Sequence, residues 1–139
     1  MAKTLLQIVT LEKTHFEKQV EMIVFDGVDG QIGILPGHAP MTAALSDSGV
    51  LRAYDGDYQY IFYIAGGFAK ITADKVTILT EAAECPEEID ALRVQKEIER
   101  QEHELTKNLS NAETTRHKRA LRRALVRLEV SSYPIVHRS

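Results

Sequence analysis

The 139 residues carry 17 Lys and Arg against 20 Asp and Glu, a formal net charge of -3. That length suits one cored domain, alone or with an appendage, and that mild acidity gives no overall case for nucleic acid or an anionic membrane. The single cysteine, Cys85, excludes an internal disulfide and a cysteine-built zinc centre.

From Met1 to about Glu84 the chain reads as strands. Leu5 to Leu11 is aliphatic, and Phe16 to Phe25 reads as one strand with Val20, Met22 and Val24 on one face. Gly27 to Gly30 supplies a turn before a short buried strand, Ile32 to Leu35. Gly30, Gly33, Pro36, Gly37, His38 and Pro40 then concentrate conformational control into a shaped loop. Val50 to Tyr54 and Tyr58 to Ala65 flank Asp55-Gly56-Asp57, a strong hairpin cue, and Phe68 to Thr72 with Val76 to Leu79 makes a second. Many short strands at close spacing predict an antiparallel β-sandwich or flattened barrel.

The pattern changes at Cys85-Pro86. Pro86 is placed to start a helix, with Glu87, Glu88 and Asp90 complementing its dipole, and the absence of glycine and proline extends it to Asn108. Its apolar stripe is Ala91, Val94, Ile98, Leu105 and Leu109. Ser110 or Asn111 caps a second helix, Ala112 to Glu129, expected to bury Ala120, Leu121, Ala124, Leu125 and Leu128. The expected organisation is therefore a sandwich over 1–85, an antiparallel two-helix hairpin over 86–130, and a weakly ordered tail over 131–139. A hairpin so short is marginal alone and must lean on another surface.

No phosphate-cradling glycine loop opens a helix. His38 has no neighbouring nucleophile, paired carboxylate or metal-spaced histidine, and the other histidines are scattered, so neither a catalytic residue nor a metal site is expected. The charge distribution says more. Residues 1–86 hold six basic and eleven acidic side chains, whereas 111–129 holds six basic and two acidic. Arg116, Arg119, Arg123 and Arg127 share one side of the second helix, opposite its leucines. Such a stripe suits an anion or an acidic partner; its plainer reading is a solvated face partly neutralised by the acidic first helix. Asp90 and Arg93 lie one turn apart, with Arg100 two turns on, a grouping that suits sugar hydroxyls and phosphates or an ordinary intrahelical ion pair.

The strings Gly30-Gln-Ile-Gly-Ile-Leu-Pro-Gly-His-Ala-Pro40, Ala65-Gly-Gly-Phe68 and Val76-Thr-Ile-Leu-Thr-Glu-Ala82 closely resemble the epsilon subunit of bacterial-type F-type ATP synthases, homologous to chloroplast epsilon and mitochondrial delta. The resemblance runs from about Leu5 to Leu128. It implies a non-catalytic central-stalk subunit with a docking sandwich, where Gly30 to Pro40 faces the gamma subunit and the membrane rotor ring of c subunits. It also implies a movable hairpin that restrains ATP hydrolysis, with Arg116, Arg119, Arg122 and Arg123 drawn to acidic segments of the beta subunits. No cofactor is required.

Some relatives bind regulatory ATP, with or without Mg, through an Ile-Asp-x-x-Arg-Ala motif. Here it reads Ile89-Asp90-Ala-Leu-Arg93-Val94, and Glu84, Arg100, Arg123 and Arg127 occupy the family's other positions; Val94 stands where alanine is usual and adds two methyls beside the expected ligand. The implied location is the cytoplasmic face of the bacterial membrane, peripheral and without insertion into the bilayer, or the stromal face of the thylakoid in a plastid. A β-domain adaptor whose basic helix binds nucleic acid is the alternative, though no aromatics interleave the arginines. A small enzyme centred on His38 is a third.

Overall fold

The computed structural model describes residues 2–133, and residues 136–137 as backbone. Strands β1 (Thr4–Val9), β2 (Thr14–Val20), β3 (Met22–Gly27), β4 (Gly30–Ile34), β5 (Met41–Ala44), β6 (Gly49–Asp55), β7 (Tyr58–Ile64), β8 (Phe68–Ile71), β9 (Lys75–Leu79) and β10 (Ala83–Glu84) precede helices α1 (Ala91–Glu104) and α2 (Asn111–Ser131), and β11 (Val136–His137) follows. One sheet runs β2-β1-β9-β8-β5 and the other β10-β7-β6-β3-β4, with β11 also on β7. The sheets face each other as an open sandwich. All ladders are antiparallel except β1 with β9. That parallel pair needs no tight turn, because the chain between the two strands travels through the opposite sheet.

Alternation builds the core. Leu6 and Ile8 of β1, Ile71 of β8, and Val76 and Ile78 of β9 turn inward to meet Ile23 and Phe25 of β3, Leu51 and Ala53 of β6, and Phe62 and Ile64 of β7. One strand expectation is corrected here. The run from Phe16 to Phe25 is two strands in different sheets, broken at Glu21, whose N–H bonds the Tyr54 carbonyl at 2.7 Å. The corner resets the parity, so Ile23 and Phe25 are buried after Val20, whereas Met22 and Val24 are only partly covered. Strand β5 was not anticipated, and Leu35 is exposed rather than buried.

Strand β7 is buried at four successive positions, Ile61 to Ile64, because its sheet is covered on both faces. The outer side of this sheet, with Val50 of β6, Ile61 and Tyr63 of β7 and Ala65 just beyond it, packs against Ile89, Val94, Ile98, Ala124 and Val130. This is the surface on which the hairpin leans. Each fully buried aliphatic side chain is worth about 1.5–3 kcal/mol, more than an exposed ion pair, so the apolar face carries most of the docking.

The helices differ from expectation at their ends. Pro86–Glu88 is a 3-10 turn, Ile89 is extended, and α1 starts only after Asp90, whose carboxylate accepts the Arg93 N–H at 3.2 Å. Aspartate serves a helix better as an N-cap than inside the first turn, and the delayed start sends Ile89 into the core. Helix α1 stops at Glu104, and a capping box of Ser110 and Glu113 opens α2. Ala91 and Leu125 are exposed, so both apolar stripes are narrower than expected. Between the helices, His117 Nδ1 donates to buried Gln101 Oε1 at 2.6 Å, and the Gln101 amide donates to Glu97 at 2.8 Å. Ser131 closes α2, and 136–137 pair with Tyr58 and Gln59 of β7; the rest of the expected tail, residues 134, 135, 138 and 139, lies outside the described residues.

Candidate functional site

Three arginines, one turn apart on α2, reach down to three carboxylates of the sandwich. Arg127 makes a two-pronged pair with Glu84 of β10, Nε to Oε1 at 2.7 Å and Nη2 to Oε2 at 2.9 Å. Arg123 donates from Nη2 to Asp47 Oδ1 at 2.8 Å and to Glu81 Oε2 at 2.9 Å. Arg119 reaches Asp47 Oδ1 at 2.6 Å from Nη2. Asp47 lies between β5 and β6, and Glu81 just beyond β9, so two separate connections of the sandwich deliver the acids to one helix face.

Electrostatics follow the geometry. The Arg119 hydrogen bond, reinforced by Arg123, holds the Asp47 carboxyl down at about 2. Asp47 in turn raises the Arg119 and Arg123 guanidiniums, and Glu84 raises that of Arg127. Beneath them, burial pushes the Tyr63 phenol up to about 12. Of the two readings of the stripe, the solvated face neutralised by the first helix is corrected for Arg119, Arg123 and Arg127, which meet acids of the sandwich instead. The buried flank of α2 passes through Ala124 and Val130, which tips the arginines toward the sandwich acids. Asp47 stands in no motif, and Glu81, though inside the string Val76 to Ala82, had no role assigned to it. The only signal for them in the sequence was the acidic excess of residues 1–86 facing a basic helix.

Between sandwich and hairpin lies a cleft of about 830 Å³, and Glu84, Asp90, Arg93, Val94, Arg123 and Arg127 all line it. Six of the eight residues marked for a nucleotide thus surround one space. Ile89 is in the core beside it, and Val94, though on the wall, is only 2% exposed, with its methyls in the apolar cluster. Arg100 is not on the wall; it pairs along its own helix with Glu97 at 2.8 Å. Arg93 is exposed and makes no ion pair among the described residues. Arg116 and Arg122 are likewise exposed with no ion pair among the described residues, so of the four arginines expected to meet beta-subunit acids, Arg119 and Arg123 are already engaged and two are open.

The Gly30 to Pro40 segment lies elsewhere, on edge strand β4 and the loop after it. Gly37 adopts φ 83° and bonds the Ala73 carbonyl at 2.8 Å, and His38 Nδ1 lies 2.7 Å from the carbonyl of Ala39. No group of three or more His, Cys, Asp or Glu side chains among the described residues could hold a metal. The Cys85 thiol is pushed up to about 12 by burial and by Glu88, to which it donates at 2.9 Å, the opposite of an activated nucleophile.

A family profile described as ATP synthase, Delta/Epsilon chain, beta-sandwich domain matches residues 3–86. Similar proteins include the ATP synthase epsilon chain of Caldanaerobacter subterraneus subsp. tengcongensis, 42% identical over 91% of this chain and 92% of that one. The chain belongs to the ATP synthase delta/epsilon family. The epsilon chain of Ruminiclostridium cellulolyticum is 40% identical across 95% of this chain and 98% of its own length, so the likeness of this epsilon-type chain extends through the hairpin. Among solved structures, a chain of the Euglena gracilis mitochondrial ATP synthase, described as OSCP/F1/c-ring in rotational state 1, superposes with a TM-score of 0.81 over 96% of this chain and 83% of that one. At 24% identity that likeness supports the fold alone. The chain is thus a subunit of ATP synthase, and no described helix is long and apolar enough to cross a membrane.

Proposed function

We propose that this epsilon-type chain is a non-catalytic rotor subunit of the central stalk, peripheral at the cytoplasmic face of the membrane. The sandwich docks on the gamma subunit and the ring of c subunits, with Gly30, Gly33, Pro36, Gly37, His38 and Pro40 at the contact. The hairpin is a two-position brake on ATP hydrolysis. Docked on β6 and β7 it is disengaged; released, it extends toward the catalytic head. There Arg116, Arg119, Arg122 and Arg123 meet acidic segments of the beta subunits, an attraction that weakens with salt.

ATP is the regulatory ligand of the docked position. The observation that carries this reading is the cleft, where the arginines of both helices and two carboxylates, Glu84 and Asp90, converge on one space. Arg93, Arg123 and Arg127 take phosphates through charge-assisted hydrogen bonds, while Glu84 and Asp90 accept from adenine or ribose. A ligand that binds only the docked hairpin stabilises it by RT ln(1 + [L]/Kd), about 2.7 kcal/mol at a hundredfold excess over Kd. The test is ATP titration of the isolated chain, with and without Arg123→Ala, read as a rise in melting temperature. A rise in the parent that disappears in the variant supports the reading; no rise in either leaves a brake that does not sense ATP.

A further inference from the structure

The charge of the cleft poses a problem for any anionic ligand. Its wall carries three arginines, Arg93, Arg123 and Arg127, against six carboxylates, Glu12, Glu81, Glu84, Glu88, Asp90 and Glu97. Two of those arginines are engaged by the protein's own carboxylates, Arg127 by Glu84 and Arg123 by Glu81 together with Asp47. Asp47 is not on the wall; it holds Arg123 from the side of Arg119. A polyphosphate therefore meets two arginines, Arg123 and Arg127, that already donate to carboxylates.

Resting on the nucleotide reading above, we propose that Asp47 and Glu81 are built-in substitutes for phosphate at Arg123. They satisfy the guanidinium and hold α2 on the sandwich when no nucleotide is present, and they set the affinity by competing with the incoming phosphates. Their exposure suits exchange. The Glu81 side chain is 66% and that of Asp47 38% exposed, whereas Arg123 is only 26% exposed. Both acids can turn to water when displaced, while the guanidinium stays in place for the ligand. Glu84 is different: it is 25% exposed and grips Arg127 with both oxygens, so it remains part of the wall.

The competition couples two quantities with opposite signs. Neutralising Asp47 removes a ligand-free contact, so the docked fraction falls without nucleotide. The docked form then binds polyphosphate more tightly, because Arg123 is free to meet it. A residue that only supported the local structure would lower both. In exchange, ATP becomes more decisive: the nucleotide drives a larger change in hairpin position when the internal competitor is gone.

The experiment measures ATP binding by calorimetry at low salt on the full chain, together with the docked fraction from a fluorescence distance pair spanning the sandwich and α2. Asp47→Asn is compared with the parent and with Asp57→Asn, which makes the same charge change on the exposed β6–β7 turn; Glu81→Gln serves as a second variant should Asp47→Asn fold poorly. The expected result is a lower docked fraction without ATP for Asp47→Asn and, after correcting Kd for that fraction, affinity higher by about tenfold, with Asp57→Asn like the parent. Equal or weaker corrected affinity in Asp47→Asn overturns the inference alone. Binding by none of the chains, with the hairpin docked, overturns the nucleotide reading and this inference with it.

Discussion

Arg127 of α2 and Glu84 of β10 face each other through two parallel hydrogen bonds, at 2.7 and 2.9 Å, with less than a third of either side chain exposed. This pair is the best-shielded ion pair between the two parts of the chain among the described residues. Replacing Arg127 by alanine, or Glu84 by glutamine, should cost roughly 1–2 kcal/mol in urea unfolding. Faster amide exchange in α2 than in α1 would locate the loss. In 1 M salt the Arg119 to Asp47 pair, with side chains 58% and 38% exposed, should weaken first. Unchanged exchange across α2 in both variants would contradict this division of roles.

Acid should loosen the same seam. Asp47 sits at about 2, below its ordinary 3.8, because the Arg119 and Arg123 guanidiniums bind the ionised form. A carboxyl depressed on folding contributes stability that is fully present above its unfolded value and is lost as pH falls through its folded one. The window is therefore about pH 4 down to about 2. Glu88, lowered by Cys85, and Glu97, lowered first by Gln101, add losses of the same sign. The part due to Asp47 is the difference between parent and Asp47→Asn in melting temperature against pH. That difference should shrink toward zero on going from pH 5 to pH 2, and a difference independent of pH would contradict it.

Gly67 tests the sandwich by itself. At φ +106° an added Cβ would fall 1.8 Å from the Leu79 carbonyl oxygen, a backbone atom that cannot give way. Gly67→Ala should therefore cost about 3 kcal/mol or more, seen as a large fall in melting temperature or loss of soluble protein. Gly33, by contrast, has ordinary φ and its nearest neighbour is the flexible end of Met22 at 3.7 Å. Gly33→Ala should fold within about 0.5 kcal/mol of the parent, leaving it usable for probing docking of the loop to the stalk.

Val94 tests how the motif is read. Because it is 2% exposed and packs with Ile89, Ile98 and Ala124, restoring the family's alanine removes core volume rather than opening the cleft. Val94→Ala should destabilise the chain by about 1–3 kcal/mol without improving ATP affinity. A rise beyond about threefold in calorimetry would mean that the valine methyls do meet the ligand.

Much of the architecture was legible because it rests on local rules. Asp55-Gly56-Asp57 does turn β6 into β7, and Ser110 does cap α2 through a box with Glu113. Where two rules compete, the sequence was misleading. Asp90 satisfied both a first-turn acid and an N-cap, and only the burial of Ile89 selects the cap. The parity of β3 was lost for a similar reason: alternation continues in the letters across Glu21, while the chain passes from one sheet to the other.

Residue patterns alone determined the succession of a strand-rich part and two helices, the family, and the arginine stripe, since these depend on neighbours in sequence. Tertiary structure alone decided what the stripe touches. Asp47, Glu81 and Glu84 lie between 42 and 76 residues from their arginines along the chain. Their meeting depends on how two sheets stack and how α2 crosses β7, which no local periodicity encodes. Coulomb attraction acts through space, so the partner of a charged side chain becomes known only when the fold has brought it within reach.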